Sequence, residues 1–122
     1  MADESYIYAV LAGDATLSAL VSTRIYDNRV PENIASPQTA PYIVGRVVTS
    51  VPENMLDEAP GVDHVRMQLD IYAETKASAR AVLAAIRTPL ERLGYEVLTM
   101  DFADPTTDLR NIKSDWEFWL SR

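Results

Sequence analysis

The sequence predicts an α+β domain, a two-layer sandwich whose mostly antiparallel sheet of about five strands carries two helices on one face. Three observations lead there. Residues 4–21 and 75–93 repeat apolar side chains at helical spacing. Val65, Met67, Leu69 and Ile71 alternate with Arg66, Gln68, Asp70 and Tyr72 in the period-two pattern of a half-buried strand. Strand-like runs cluster on either side of the second helix, so the order reads α-β-β-β-α-β-β rather than strict alternation.

In the first helix Ile7, Val10, Leu11, Leu17 and Leu20 mark the apolar side. Gly13-Asp14 interrupts it, and Asp14 is placed to cap the second piece with its carboxylate. Residues 23–27 form a short strand. Residues 28–40 hold Pro31 and Pro37 and run to Pro41, so they read as a mobile loop. In the second strand, residues 42–51, Ile43, Val47 and Val51 are expected on one face and Tyr42, Val44 and Val48 on the other. Residues 52–63, with Pro52, Pro60 and Gly61, read as a second mobile loop. The third strand covers 64–73, and Thr75 is placed to cap the next helix. That helix carries Ala79, Val82, Leu83, Ile86, Leu90 and Leu93 on one stripe. Pro89 should kink or end it, and Gly94 should stop it. Residues 95–103 are the fourth strand and 104–108 a turn. The fifth strand, 110–120, has Ile112, Trp116, Phe118 and Leu120 on one face and Trp119 on the other.

The chain has 122 residues, enough for one domain, taken as 1–122, with a real core. Its net charge of −7 argues against gripping nucleic acid and suits solubility. No apolar run approaches the ~20 residues of a membrane span. The absence of cysteine excludes disulfides and thiolate metal sites.

Catalytic chemistry has little to build on. His64 is the one histidine, with Asp57, Glu58 and Asp63 near it in sequence. A metal or acid–base site is one reading, and a surface histidine beside an acidic loop is the simpler one. No serine sits in a Gly-x-Ser-x-Gly elbow. Asp101, Asp104 and Asp108 lack the ligand spacing of a calcium loop. The scattered glycines make no phosphate cradle. The expectation is no enzyme, no cofactor and no metal.

Interaction chemistry is better represented. The face of the second helix with Ala77, Ala81, Ala84 and Ala85 reads either as helix propensity or as a surface a neighbouring subunit can approach closely. Tyr72, Trp119, Val44 and Val48 are expected on the sheet face without helices. Apolar groups gathered there mark an interface, unless a loop or terminus covers them. Glu53, Asp57 and Glu58 form an acidic loop that joins this candidate contact set.

Several segments in order carry a likeness to a known family. Leu17-Ser18-Ala19-Leu20-Val21 runs into Arg24-Ile25-Tyr26, then Pro41-Tyr42-Ile43-Val44. Asp70-Ile71-Tyr72-Ala73 leads into Ala77-Ser78-Ala79-Arg80-Ala81, and Asp115-Trp116-Glu117-Phe118-Trp119 follows. Together they resemble the small tail-completion, or tail-terminator, proteins of long-tailed bacteriophages and prophages. Members of that family often have a large residue where this chain has Gly45. The resemblance implies a ring, commonly hexameric, at the head-proximal end of the tail tube. Such a ring ends tube polymerisation and joins tail to head. The implied partners are further copies of the chain, the tail-tube protein and a head-connector or neck protein, with DNA passing through and no membrane. The implied location is the head–tail junction of a virion assembled in the host cytoplasm. The competing readings are a neck or head-completion protein, a non-phage adaptor domain, and a small enzyme using His64.

Overall fold

A computed structural model describes residues 5–28, 41–52, 61–103 and 109–121. The elements are α1 (Ser5–Ala12), α2 (Ala15–Val21), β1 (Ile25–Asp27), β2 (Tyr42–Pro52), β3 (Val62–Ala73), α3 (Lys76–Leu90), β4 (Gly94–Ala103) and β5 (Arg110–Ser121). The architecture is α+β, with the five strands in the order β1-β2-β3-β5-β4. Every neighbouring pair is antiparallel except β1 and β2, which run parallel.

The first predicted helix is two helices. Asp14 is in extended conformation and accepts a hydrogen bond from the Leu17 N–H at 2.9 Å, which caps α2. At eight and seven residues, α1 and α2 are too short to persist alone. Burial of Ile7, Leu11, Leu17 and Val21 holds them in place. Thr75 caps α3 in the same way, accepting from the Ser78 N–H at 3.1 Å. Ala79, Val82, Leu83, Ile86 and Leu90 of α3 are buried as the stripe predicts. Against them lie Val65, Met67, Leu69 and Ile71 of β3 and Ile112, Trp116, Phe118 and Leu120 of β5. The core sits between this inner sheet face and the helices.

Pro89 lies inside the last turn of α3, which runs on to Leu90. Gly94 is not a helix stop. It is the first residue of β4 and has no positive φ. Its lack of a side chain serves packing: an added Cβ would overlap the Glu117 carbonyl oxygen and come within 2.5 Å of Phe118 Cδ1. Gly45 plays a similar part on β2, where an added Cβ would lie 2.7 Å from the Tyr8 hydroxyl. The bare backbone lets Tyr8 of α1 lie across the strand, and its hydroxyl donates to Asp27 Oδ1 at 3.1 Å.

Two bulges alter the expected faces. Val47 opposes Met67 and Thr49 opposes Arg66, so Val48 is an extra residue in β2. Beyond it the pleat is reversed. Ser50 opposes the core residue Val65, and Val51 opposes His64 on the outer face, not beside Ile43 and Val47 as expected. A second bulge lies at Val97 in β4. The predicted loop 52–63 is also shorter than expected, because Pro52 pairs with Asp63 and both belong to strands. Its remainder, 53–60, and residues 29–40 of the other loop lie outside the described residues.

β4 is tied to the helical layer by polar contacts. The Trp116 indole N–H donates to Ser114 Oγ at 2.8 Å, and the Ser114 hydroxyl donates to Glu96. Arg87 of α3 donates to the same carboxylate at 2.9 Å. Farther along β4, Asp101 meets Arg110 at 3.2 Å and Lys76 at 4.0 Å, which uses this carboxylate in ion pairs.

Candidate functional site

Among the described residues the outer face of the sheet carries no helix, and the ladders arrange it in rows. One row is Tyr42, Tyr72, Asn111 and Phe102; the next is Val44, Asp70, Lys113 and Met100. Then come Arg46, Gln68, Asp115 and Leu98, followed by Thr49, Arg66, Glu117 and Tyr95. The last is Val51, His64 and Trp119.

Aromatic groups occupy the two ends. Tyr72 stacks on Tyr42 with ring centroids 4.9 Å apart, and Tyr26 meets Tyr42 edge-on. At the other end Trp119 stacks on His64 at 4.6 Å, and Tyr95 meets Trp119 edge-on at 5.8 Å. His64 and Tyr72 are eight residues apart on β3, roughly 26 Å along an extended strand. Tyr72 and Trp119 therefore share a face, as expected, but belong to separate clusters rather than one apolar patch.

Charges fill the middle. Asp70 is fully buried and accepts from Arg46 at 3.0 Å, Lys113 at 3.2 Å and Gln68 at 2.9 Å. Beside it Arg66 donates to Asp115 at 3.0 Å. These partners neutralise one another in place, and buried carboxylates need such partners.

The remaining predicted residues are placed as follows. Val44 is on the outer face but buried, at 6% exposure, so it offers little surface. Val48 is 48% exposed at the β2 bulge. Glu53, Asp57 and Glu58 lie outside the described residues. His64 Nε2 is 3.6 Å from Glu117 Oε2, while Asp63 belongs to the inner-face row with Leu120. Among the described residues no three His, Asp or Glu side chains are grouped to hold a metal ion. No described helix is long and apolar enough to cross a membrane.

Sequence reasoning placed β4 but did not single out its residues as surface. Tyr95, Val97, Leu98 and Met100 are large, apolar and exposed, with Tyr95 at 66%. β4 also ends the sheet, so its outer backbone edge has no strand beside it among the described residues. The signal was in the sequence: Tyr95, Val97, Leu98, Met100 and Phe102 do not alternate cleanly with polar residues. Such a strand is either buried on both sides or exposes apolar groups at an edge.

Compared with known proteins, the chain matches the model of the family described as Tail completion protein gp17 over residues 5–120. No curated protein matches it. Among solved structures it is similar to a chain from the virion of a native gene transfer agent (GTA) particle, with a TM-score of 0.74 and 19% identity. The likeness covers 99% of this chain and 96% of that one, and at this identity it is a likeness of fold.

Proposed function

The chain belongs to the tail completion protein gp17 family, and on that premise we propose that it caps the head-proximal end of a bacteriophage tail tube, stops tube growth and joins tail to head. It works as a single domain repeated in a ring, commonly a hexamer. Its partners are its own copies, the tail-tube protein and a head-connector or neck protein. DNA passes through without being gripped. The protein resides at the head–tail junction of a siphophage or prophage virion after assembly in the host cytoplasm.

The family match across nearly the whole chain carries this reading. The surface chemistry supports it. Stacked aromatics, an apolar strand edge and neutralised charge pairs suit docking between proteins. His64 is occupied by stacking on Trp119, which gives no reason to assign it a catalytic step. A ring repeats each modest contact around its axis, so the total becomes large.

The test is electron microscopy of particles made without this protein. Overlong tails, or tails detached from full heads, are the expected result. Normal tails ending at the usual length would transfer the role to a neck or head-completion function.

A further inference from the structure

We propose that adjacent copies of this chain join edge to edge, with β4 of one copy adding antiparallel to residues 46–52 of β2 in the next. The inference rests on the ring reading above and specifies its contact.

Strand polarity permits it. β2, β3, β5 and β4 are each antiparallel to the next, so β4 runs opposite to β2. A second copy set beside the first in the same orientation presents its β2 antiparallel to β4. Such a contact joins two different surfaces, and heterologous contacts close into a ring where the rotation between neighbours divides a full turn.

The edges have space for it. β1 covers β2 only at Ile43, Val44 and Gly45. Along residues 46–52 that side of β2 has no strand beside it among the described residues. On β4, residues 98–103 pair regularly with β5 and have no strand on their other side among the described residues.

Side chains on the two edges are complementary. Leu98 and Met100 stand exposed on the outer face of β4, and Val48 and Val51 are exposed on β2. Pairing brings these apolar groups together out of water. Glu96 of β4 is already paired with Arg87, Asp101 with Arg110 and Lys76, and Arg46 of β2 with Asp70, so charge does not choose between the edges. A ring needs two different surfaces in contact, which β4 on β2 supplies and β4 on β4 does not. A bulge in each edge, at Val48 and Val97, limits which strand can fit and discourages indiscriminate pairing.

The natural sequence has no cysteine, so introduced thiols report contacts cleanly. Val51→Cys and Met100→Cys chains are mixed and treated with a short bis-maleimide, both free in solution and on capped tail tubes. A covalent dimer from the mixture, a ladder of multimers from the double variant, and no dimer from Met100→Cys alone are expected. Thr49→Cys with Phe102→Cys, which lie opposite in the same antiparallel register, serves as a second pair, and circular dichroism checks that each variant folds. Self-linking of Met100→Cys, or unlinked subunits within a ring seen by electron microscopy, would overturn the edge contact and leave the ring standing. Tube ends without any ring would overturn the ring reading as well.

Discussion

Arg46 donates across the β2–β3 ladder to Asp70 at 3.0 Å, and the carboxylate it meets is fully buried on the outer face of the sheet. The pair is unequal. The Arg46 side chain is 44% exposed and water can solvate it, whereas Asp70 depends on its protein partners. The order of damage follows. Arg46→Ala leaves Lys113 and Gln68 in place and should cost under ~1 kcal/mol. Asp70→Ala should cost about 2 kcal/mol, because Arg46, Lys113 and Gln68 all lose their shared acceptor. Removing Arg46 and Lys113 together should cost ~3 kcal/mol, more than the sum of the single changes. Urea unfolding of Arg46→Ala, Lys113→Ala, their double variant and Asp70→Ala measures this, and equal losses throughout would refute the inequality.

Gly94 and Gly61 should respond oppositely to alanine. At Gly94 the new methyl meets the Glu117 carbonyl and the Phe118 ring, so the β4–β5 ladder must shift. A loss of roughly 2 kcal/mol or more is expected. At Gly61 no atom of the described residues lies within 4 Å of an added Cβ, and φ is not positive. Alanine there should stabilise by about 0.5 kcal/mol through the unfolded chain. Thermal melts of the two variants give the comparison.

Ser22 holds φ 56° and ψ −123°, the backbone of the first central position in a type II′ turn, where glycine is favoured. The Arg24 N–H donates to the Val21 carbonyl across this turn at 2.9 Å. Ser22→Gly should therefore raise stability by about 1 kcal/mol, and Ser22→Val should lower it. Denaturant midpoints that move the other way would show that the turn is not strained.

Trp119→Ala and Tyr72→Ala test the outer-face clusters as contacts in assembly. Trp119 is 45% exposed, so its loss should cost the monomer only ~1 kcal/mol. Tyr72 is stacked on Tyr42 and should cost slightly more. Each should weaken ring formation about tenfold, equivalent to ~1.4 kcal/mol. Light scattering against concentration reads this, and unchanged assembly in both variants would remove these residues from the interface.

Much of the fold was legible because local signals were strong. Asp14 and Thr75 are caps that act within three residues, so sequence alone locates them. The β3 and β5 alternations name their buried faces correctly, Trp116 and Phe118 included. What was hidden depends on partners distant in sequence. The Val48 bulge exists only relative to β3, and no local pattern announces that Val51 changes sides. Gly94 looked like a helix stop because the Phe118 ring that needs its space arrives 24 positions later. Val44 was placed on the proper face, but its burial was not readable. Tyr72 and Trp119 were also placed on one face, while their separation along it required the register. The apolar residues of β4 passed as ordinary strand residues, because sequence does not reveal which strand ends a sheet.

The strand order has a consequence for biogenesis. β5 follows β4 in the chain yet lies between β3 and β4. When β4 leaves the ribosome it has no strand to pair with until β5 emerges and inserts. During that interval its apolar residues have no neighbours, and nascent β4 segments on one polysome can find each other. Rapid release of the downstream segment, or shelter by a chaperone, thus becomes a condition for soluble yield.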